Sequence, residues 1–372
     1  MARTDIIDAG LYHNWARDAE IAEYLSEAWL SYLGADHTAP NRKTPGPAIV
    51  PRSRYPNPLG EMRPEAHGAD GAHPASDLTT LREKHLDRHG ITRAILCHHL
   101  GLGLPGIPNT RLSNELTRAA NDYMLDRWVA ADPRLHAAII VPTQVPEAGV
   151  AEIKRLAGNP RVAAVMLSVN GLAKPFGHEV YHPIYRAASE AGLPVMLHAG
   201  ADTPVDVDSH PTAGGLPATF SELYVHSSLP MNTHLMSLIG QGTFDRFPDL
   251  RIVAIGTGVG WLVSSLLRAE NGYMEGRRTV PWTHQSPVEY FRARILIGTH
   301  PLDRTEPPTR LGNYLSAIEG IEDMLCFASG YPSWDSDQPA AITERLPAAW
   351  HDSVLSSNAN KVFRWSTAEV AA

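Results

Sequence analysis

Short, almost wholly apolar runs recur along the chain, each separated from the next by a stretch with helical spacing of apolar positions. The runs are IIDAG (6–10), AILCH (94–98), AAIIV (137–141), AAVML (163–167), LPVML (193–197), RIVAI (251–255), ARILI (293–297) and MLCFA (324–328). Apolar runs of this length, bounded by turn residues, read as strands buried on both faces. Residues 18–33 predict an amphipathic helix, and 77–90 predict another closed by Gly90. Further helices are expected at 111–130, 146–158, 182–192, 232–242, 260–272 and 311–321, with one or two over 342–365. Strict strand–helix alternation demands crossover connections and a parallel sheet. Eight such units close most naturally into a (β/α)8 barrel, and a doubly wound open sheet is the alternative. Against the open sheet, no GxGxxG follows the first strand. Thr257-Gly258-Val259-Gly260 is glycine-rich but lacks the Lys-Ser/Thr of a phosphate loop.

One stretch breaks the alternation. Residues 35–75 are rich in Pro, Gly, Arg and His and show no period, and we read them as an insertion over the barrel mouth within a single domain spanning 1–372. Composition adds exclusions. Hydrophobic residues make up 43% and charged residues 19% of the 372, which is ample for a core. A net charge of -8 offers no basic field for nucleic acid or anionic lipid. No apolar run is long enough to span a membrane, and MARTDIIDAG lacks the apolar core of a signal peptide. Cys97 and Cys326 lie in apolar runs and read as buried thiols of a reducing compartment, so the cytoplasm is the expected location.

The candidate chemistry begins at His198. It ends the fifth run, and in a parallel barrel the C-terminal end of a strand opens into the active-site mouth. There it could hold a metal, a proton or a substrate oxygen, or it could be a core histidine satisfied by a carbonyl. His98 and His99 end the second run, and alternation lets only one of them enter the barrel. His300 ends the seventh.

LPVMLHAG, GQGTFDRFPDLRIVAIGTGVGW, FASGYPSWDSD and SNANKVF are similar to the amidohydrolase superfamily. Within it they resemble the branch of aminocarboxymuconate semialdehyde decarboxylase and the resorcylate decarboxylases. The resemblance implies a distorted TIM barrel with one divalent metal, usually zinc, at its C-terminal mouth. It implies metal ligands from an acidic-or-His-x-His pair after strand one, a His after strand five and an Asp after strand eight. An acid or His after strand six then sits beside the ion. On this sequence the strand-five ligand matches His198, the first pair falls on Gly10 and Tyr12, the strand-six group on Gly256 and the strand-eight Asp on Gly330. A one-residue insertion would bring His13 into the first pair. Glycine offers no donor, and catalytic zinc normally takes three protein ligands.

The expectation drawn from this count is an enzyme with no favoured cofactor. It would act by general acid–base chemistry as a lyase, decarboxylase, cyclase or hydrolase on a small aromatic or carboxylated substrate. His198, His13, His300 and Asp335 are the candidate catalytic groups, and Tyr12, Tyr331, Ser333, Trp334 and His98 the candidate substrate contacts. Two alternatives stand beside it. One is a conventional enzyme dependent on zinc or another divalent metal, with shifted ligands including His13 and His198. The other is a non-catalytic binding or regulatory barrel. By resemblance the chain is expected to form a homodimer.

Overall fold

The computed structural model describes residues 5–33, 62–67, 72–168, 174–198, 218–363 and 365. Eight parallel strands follow one another around a single sheet in chain order. They are β1 (Ile6–His13), β2 (Ile91–His98), β3 (Leu135–Ile140), β4 (Val162–Leu167), β5 (Val195–His198), β6 (Ile252–Ile255), β7 (Ile295–Gly298) and β8 (Leu325–Cys326). Each of the eight apolar runs holds one of them. Backbone bonds from Ala9 N to Phe327 O and from Gly330 N to Gly10 O bring the chain after β8 back onto β1. The result is a nearly closed TIM-type barrel, as the alternation predicts.

The strands are apolar on both faces because both faces are covered. Ile95, Met166, Met196, Val253 and Leu296 fill the barrel, together with Cys97 and Cys326, both buried free thiols. Their neighbours Leu96, Val165, Leu197 and Ala254 face outward and pack under the helices with Leu116, Ile153, Tyr185 and Leu235. At the barrel's N-terminal end, Ala359 and Phe363 of the helix Asn358–Phe363 join the interior cluster, with Val362 and Trp365 packed against it.

Two elements differ from the sequence reading. The expected helix over 18–33 is two, Asp18–Ala22 and Glu27–Leu33; Arg118 donates to the Tyr24 carbonyl, at the break. A helix that the sequence reading did not predict, Phe220–His226, precedes the one expected from 232 and is started by a capping box between Thr219 and Glu222. Most of the 35–75 insertion lies outside the described residues. Its described end docks at the barrel mouth: Met62 pairs with Ser333, and the Arg63 side chain donates to Ser336. Among the described residues no helix is long and apolar enough to cross a membrane.

Candidate active site

An irregularity in β1 decides which of its side chains reach the site. Between Asp8 and Leu11 the register on β2 advances only from Ala94 to Leu96, so β1 carries one extra residue there. The extra residue reverses the alternation. Ile7 and Ala9 face the interior before it, Leu11 faces the helices, and Tyr12 faces inward again. Tyr12 therefore reaches β5, where its hydroxyl is hydrogen-bonded to His198 Nε2 at 2.8 Å.

His13, one residue on, points the other way. Its ring lies 4.4 Å from that of His98 and packs on Tyr123 and Trp128 in the helix layer. All four ring nitrogens of His13 and His98 are buried without a hydrogen-bond partner among the described residues. The structure thus separates both residues from His198, which corrects the expectation that they share its site. The inward position at the end of β2 belongs to His99, whose ring stands edge-on to Tyr12 at 5.9 Å. Since Cys97 faces the interior, alternation turns His98 out and His99 in.

His198 sits at the centre of this group. Burial, and then the fields of His99 and His300, bring its pKa down to about 3, so the ring is neutral at physiological pH. Its Nδ1 is buried without a partner among the described residues. The second cluster is built on β7. His300 Nε2 donates to Asp335 Oδ1 at 3.0 Å, and both side chains are largely buried. Asp335 also accepts from Ser333 Oγ at 2.8 Å and Tyr224 Oη at 3.1 Å. Burial alone would raise this carboxyl, but the His300 contact and these two hydroxyls outweigh it and hold it at about 2. With Nε2 committed to an ionised carboxylate, His300 keeps a buried Nδ1 with no partner among the described residues. An imidazole held this way is oriented by its carboxylate partner, the arrangement of an acid–base group.

The glycines that stand where the resemblance puts ligands have a structural meaning. Gly330 has φ +63, and a Cβ built on it would collide with the His300 ring. The imidazole of β7 occupies the space that a side chain at 330 would take. Gly256, at φ +84, lies against His198, where a Cβ would stand 3.1 Å from Nε2. A Cβ at Gly10 would meet Ile255 and Ala328 instead.

A cleft of about 570 Å³ opens along the ends of β6, β7 and β8; Tyr12, His198 and His300 lie beside it and do not line it. Asp335 lines it, joining it to the His300 pair, and Tyr224, Trp261 and Trp334 give it aromatic walls. Tyr331, by contrast, stacks on His85 at 4.6 Å, and that ring is paired with Asp8. Neither Tyr331 nor His85 lines the cleft. The structure therefore gathers Tyr12, His198, His300 and Asp335 with Ser333 and Trp334, turns in His99, which the sequence left equal with His98, and adds Tyr224, which the sequence reading did not single out.

Fit to a metal can be judged on these donors. Among the described residues no three His, Cys, Asp or Glu side chains converge on a point that could hold an ion. His198 is the one expected ligand position that carries a nitrogen donor, and its Nε2 is engaged by Tyr12. This donor set does not by itself fit a catalytic divalent ion.

The profile of a family described as amidohydrolase matches residues 73–365. Among curated relatives, the gamma-resorcylate decarboxylase of Polaromonas sp. strain JS666 is 24% identical over 278 residues, 71% of this chain and 80% of the relative. That of Rhizobium sp. strain MTP-10005 is 27% identical over 308 residues, 78% of this chain and 89% of the relative. Among solved structures, a dihydroxybenzoic acid decarboxylase from Polaromonas sp. JS666, with bound manganese and the inhibitor 2-nitroresorcinol, superposes with a TM-score of 0.65. It is 17% identical, with 99% of each chain covered. A 5-carboxyvanillate decarboxylase from Novosphingobium aromaticivorans, also with manganese, gives 0.64 at 19% identity with 97% of each chain covered. These neighbours correct one expectation. Manganese is bound in them, so the reading that no cofactor is favoured is overturned in the direction of a divalent metal.

Proposed function

This chain belongs to the amidohydrolase family, and on that premise we propose that it is a carbon–carbon lyase that decarboxylates a hydroxylated aromatic acid with a divalent metal as cofactor. The decarboxylases among its relatives support the reaction class, and the manganese of the solved neighbours supports the metal. Because the described donors do not make a complete metal site, every step that follows is carried by side chains of the chain.

The observation that carries the reading is the His300–Asp335 pair beside an aromatic-walled cleft. Decarboxylation exchanges a ring carboxylate for a ring proton: the carbon–carbon bond breaks, carbon dioxide leaves, and the bonding electron pair takes up a proton at the ring carbon. The protein must bring that proton. Asp335, which lines the cleft, holds His300 through Nε2, and this pair is the proton-transfer unit the reading assigns. Tyr12 and His198 form a hydrogen-bonded unit that can orient a phenolic oxygen. Tyr224, Trp261 and Trp334 supply flat surfaces against which an aromatic ring packs. A homodimer in the cytoplasm completes the reading.

The test is a panel of hydroxybenzoates, including 2,6-dihydroxybenzoate and 5-carboxyvanillate, incubated with purified protein with and without manganese. The expected result is release of carbon dioxide from at least one acid, dependent on manganese. His300→Asn should lower kcat by about 10²–10⁴, the usual weight of a general acid. Absence of turnover of every acid in the presence of manganese would overturn the proposal.

A further inference from the structure

The cleft carries a charge pattern that the reaction itself does not require. Three carboxylates line it, and each is already engaged. Asp303 accepts from the backbone nitrogens of Val259 and Gly260, at 3.2 and 2.7 Å. Asp337 accepts from Leu302 N at 2.6 Å, with Arg345 3.8 Å away. Asp335 is held by His300, Ser333 and Tyr224. Against them stands one lining cation among the described residues, Arg304. It is exposed on the loop after β7, and no hydrogen bond or ion pair engages it among the described residues.

Resting on the decarboxylase reading, we infer that Arg304 is a specificity-determining residue that binds a second anionic group of the substrate, so that the preferred acid is an aromatic dianion. Arg304 is exposed, whereas His300 and Asp335 are largely buried, and we assign it to an anionic group other than the carboxylate that leaves. An ion pair to the departing carboxylate would stabilise the ground state and slow its loss. An anion fixed at Arg304 instead holds the ring in the cleft while its other carboxylate reaches the His300 pair. The guanidinium suits a planar carboxylate, which it can grip through two parallel hydrogen bonds. The same cation offsets part of the repulsion that Asp303, Asp335 and Asp337 would exert on an anionic ligand.

The experiment compares Arg304→Ala, Arg304→Lys and the unaltered protein, all loaded with manganese. Substrates are 5-carboxyvanillate, with two carboxylates, and 2,6-dihydroxybenzoate, with one. We expect the unaltered protein to prefer the dicarboxylate. Arg304→Ala should raise KM for it about tenfold, a value set by a partly exposed charged pair. The lysine variant should recover part of that loss, and the preference for the dicarboxylate should shrink. An equal loss on both acids, or no change in KM for either, would overturn the inference while leaving the reaction class standing. Should the unaltered protein turn over neither acid, tryptophan-fluorescence titration with isophthalate and benzoate still decides the matter. Tighter binding of isophthalate that is lost in Arg304→Ala supports the role of Arg304, and equal binding of the two overturns it.

Discussion

At the scale of single residues, the site is shaped by side chains that are absent. Gly330 turns through a left-handed conformation, and its bare α-carbon is what lets the His300 ring lie over it. A methyl group there meets two penalties at once. The backbone conformation costs about 1 kcal/mol for a non-glycine residue, and the imidazole must move off Asp335. Gly330→Ala is therefore expected to destabilise the fold by about 1–3 kcal/mol and to reduce kcat at least as much as it disturbs the pair. Urea titration and steady-state kinetics on one preparation measure both; a variant of unchanged kcat would show that the ring need not stay where it is. The sequence identifies the glycine but not its purpose. Only the fold reveals that a histidine from the neighbouring strand fills the space. His99 was hidden for a related reason. Its strand is apolar on both faces, so no period in the sequence shows which of two adjacent histidines turns inward.

At the scale of elements, β1 is clasped to the chain after β8 through one buried carboxylate. Asp8 accepts from Gly10 N at 3.1 Å and Ser329 N at 2.9 Å, and pairs with His85 at 2.8 Å. Asp8 and His85 are almost wholly buried. The clasp holds the irregular stretch of β1, which in turn presents Tyr12 to His198. Removing one partner of such a pair leaves the other charged or polar group buried and alone. Asp8→Ala should cost about 3–5 kcal/mol, read as a shift in the denaturation midpoint, and the surviving folded fraction should lose activity through Tyr12. A loss under 1 kcal/mol would mean that the barrel closes without this contact. The eight strands and their order were legible in the sequence because burial on both faces imposes runs that no other element shows. The extra residue in β1 was not legible: Ala9-Gly10-Leu11 carries no turn signal, and the sequence alone allowed either Tyr12 or His13 to enter.

At the scale of the whole molecule, buried neutral histidines make the fold sensitive to acid. Burial lowers the pKa of His98 to about 3, and burial followed by the field of His98 puts His13 well below its ordinary value. Trp15, Tyr123 and Trp128 pack around the two rings and offer them no carboxylate. In the unfolded chain both would titrate near their ordinary value of about 6.5. Below that pH the unfolded state takes up protons that the folded state refuses. Their contribution is complete above about pH 6.5 and is eroded as pH falls, by about 1.4 kcal/mol per unit for each ring. Between pH 6.5 and 5.5 the two should together lose about 2 kcal/mol, measured by urea denaturation at each pH, and His98→Phe should remove about half of that loss. A flat profile would mean that protonated rings find partners after all.

The helix Asn358–Phe363 has a consequence for traffic through the enzyme. With Ala359 and Phe363 in the barrel's far end, and Trp365 behind them, the interior is stoppered on that side. Among the described residues that end offers no passage. With the far end closed, substrate and product are expected to share the mouth, so spent aromatic product should obstruct fresh substrate as a competitive inhibitor. A substituent too long for the cleft is expected to trail outward into water, because it cannot thread through the closed far end.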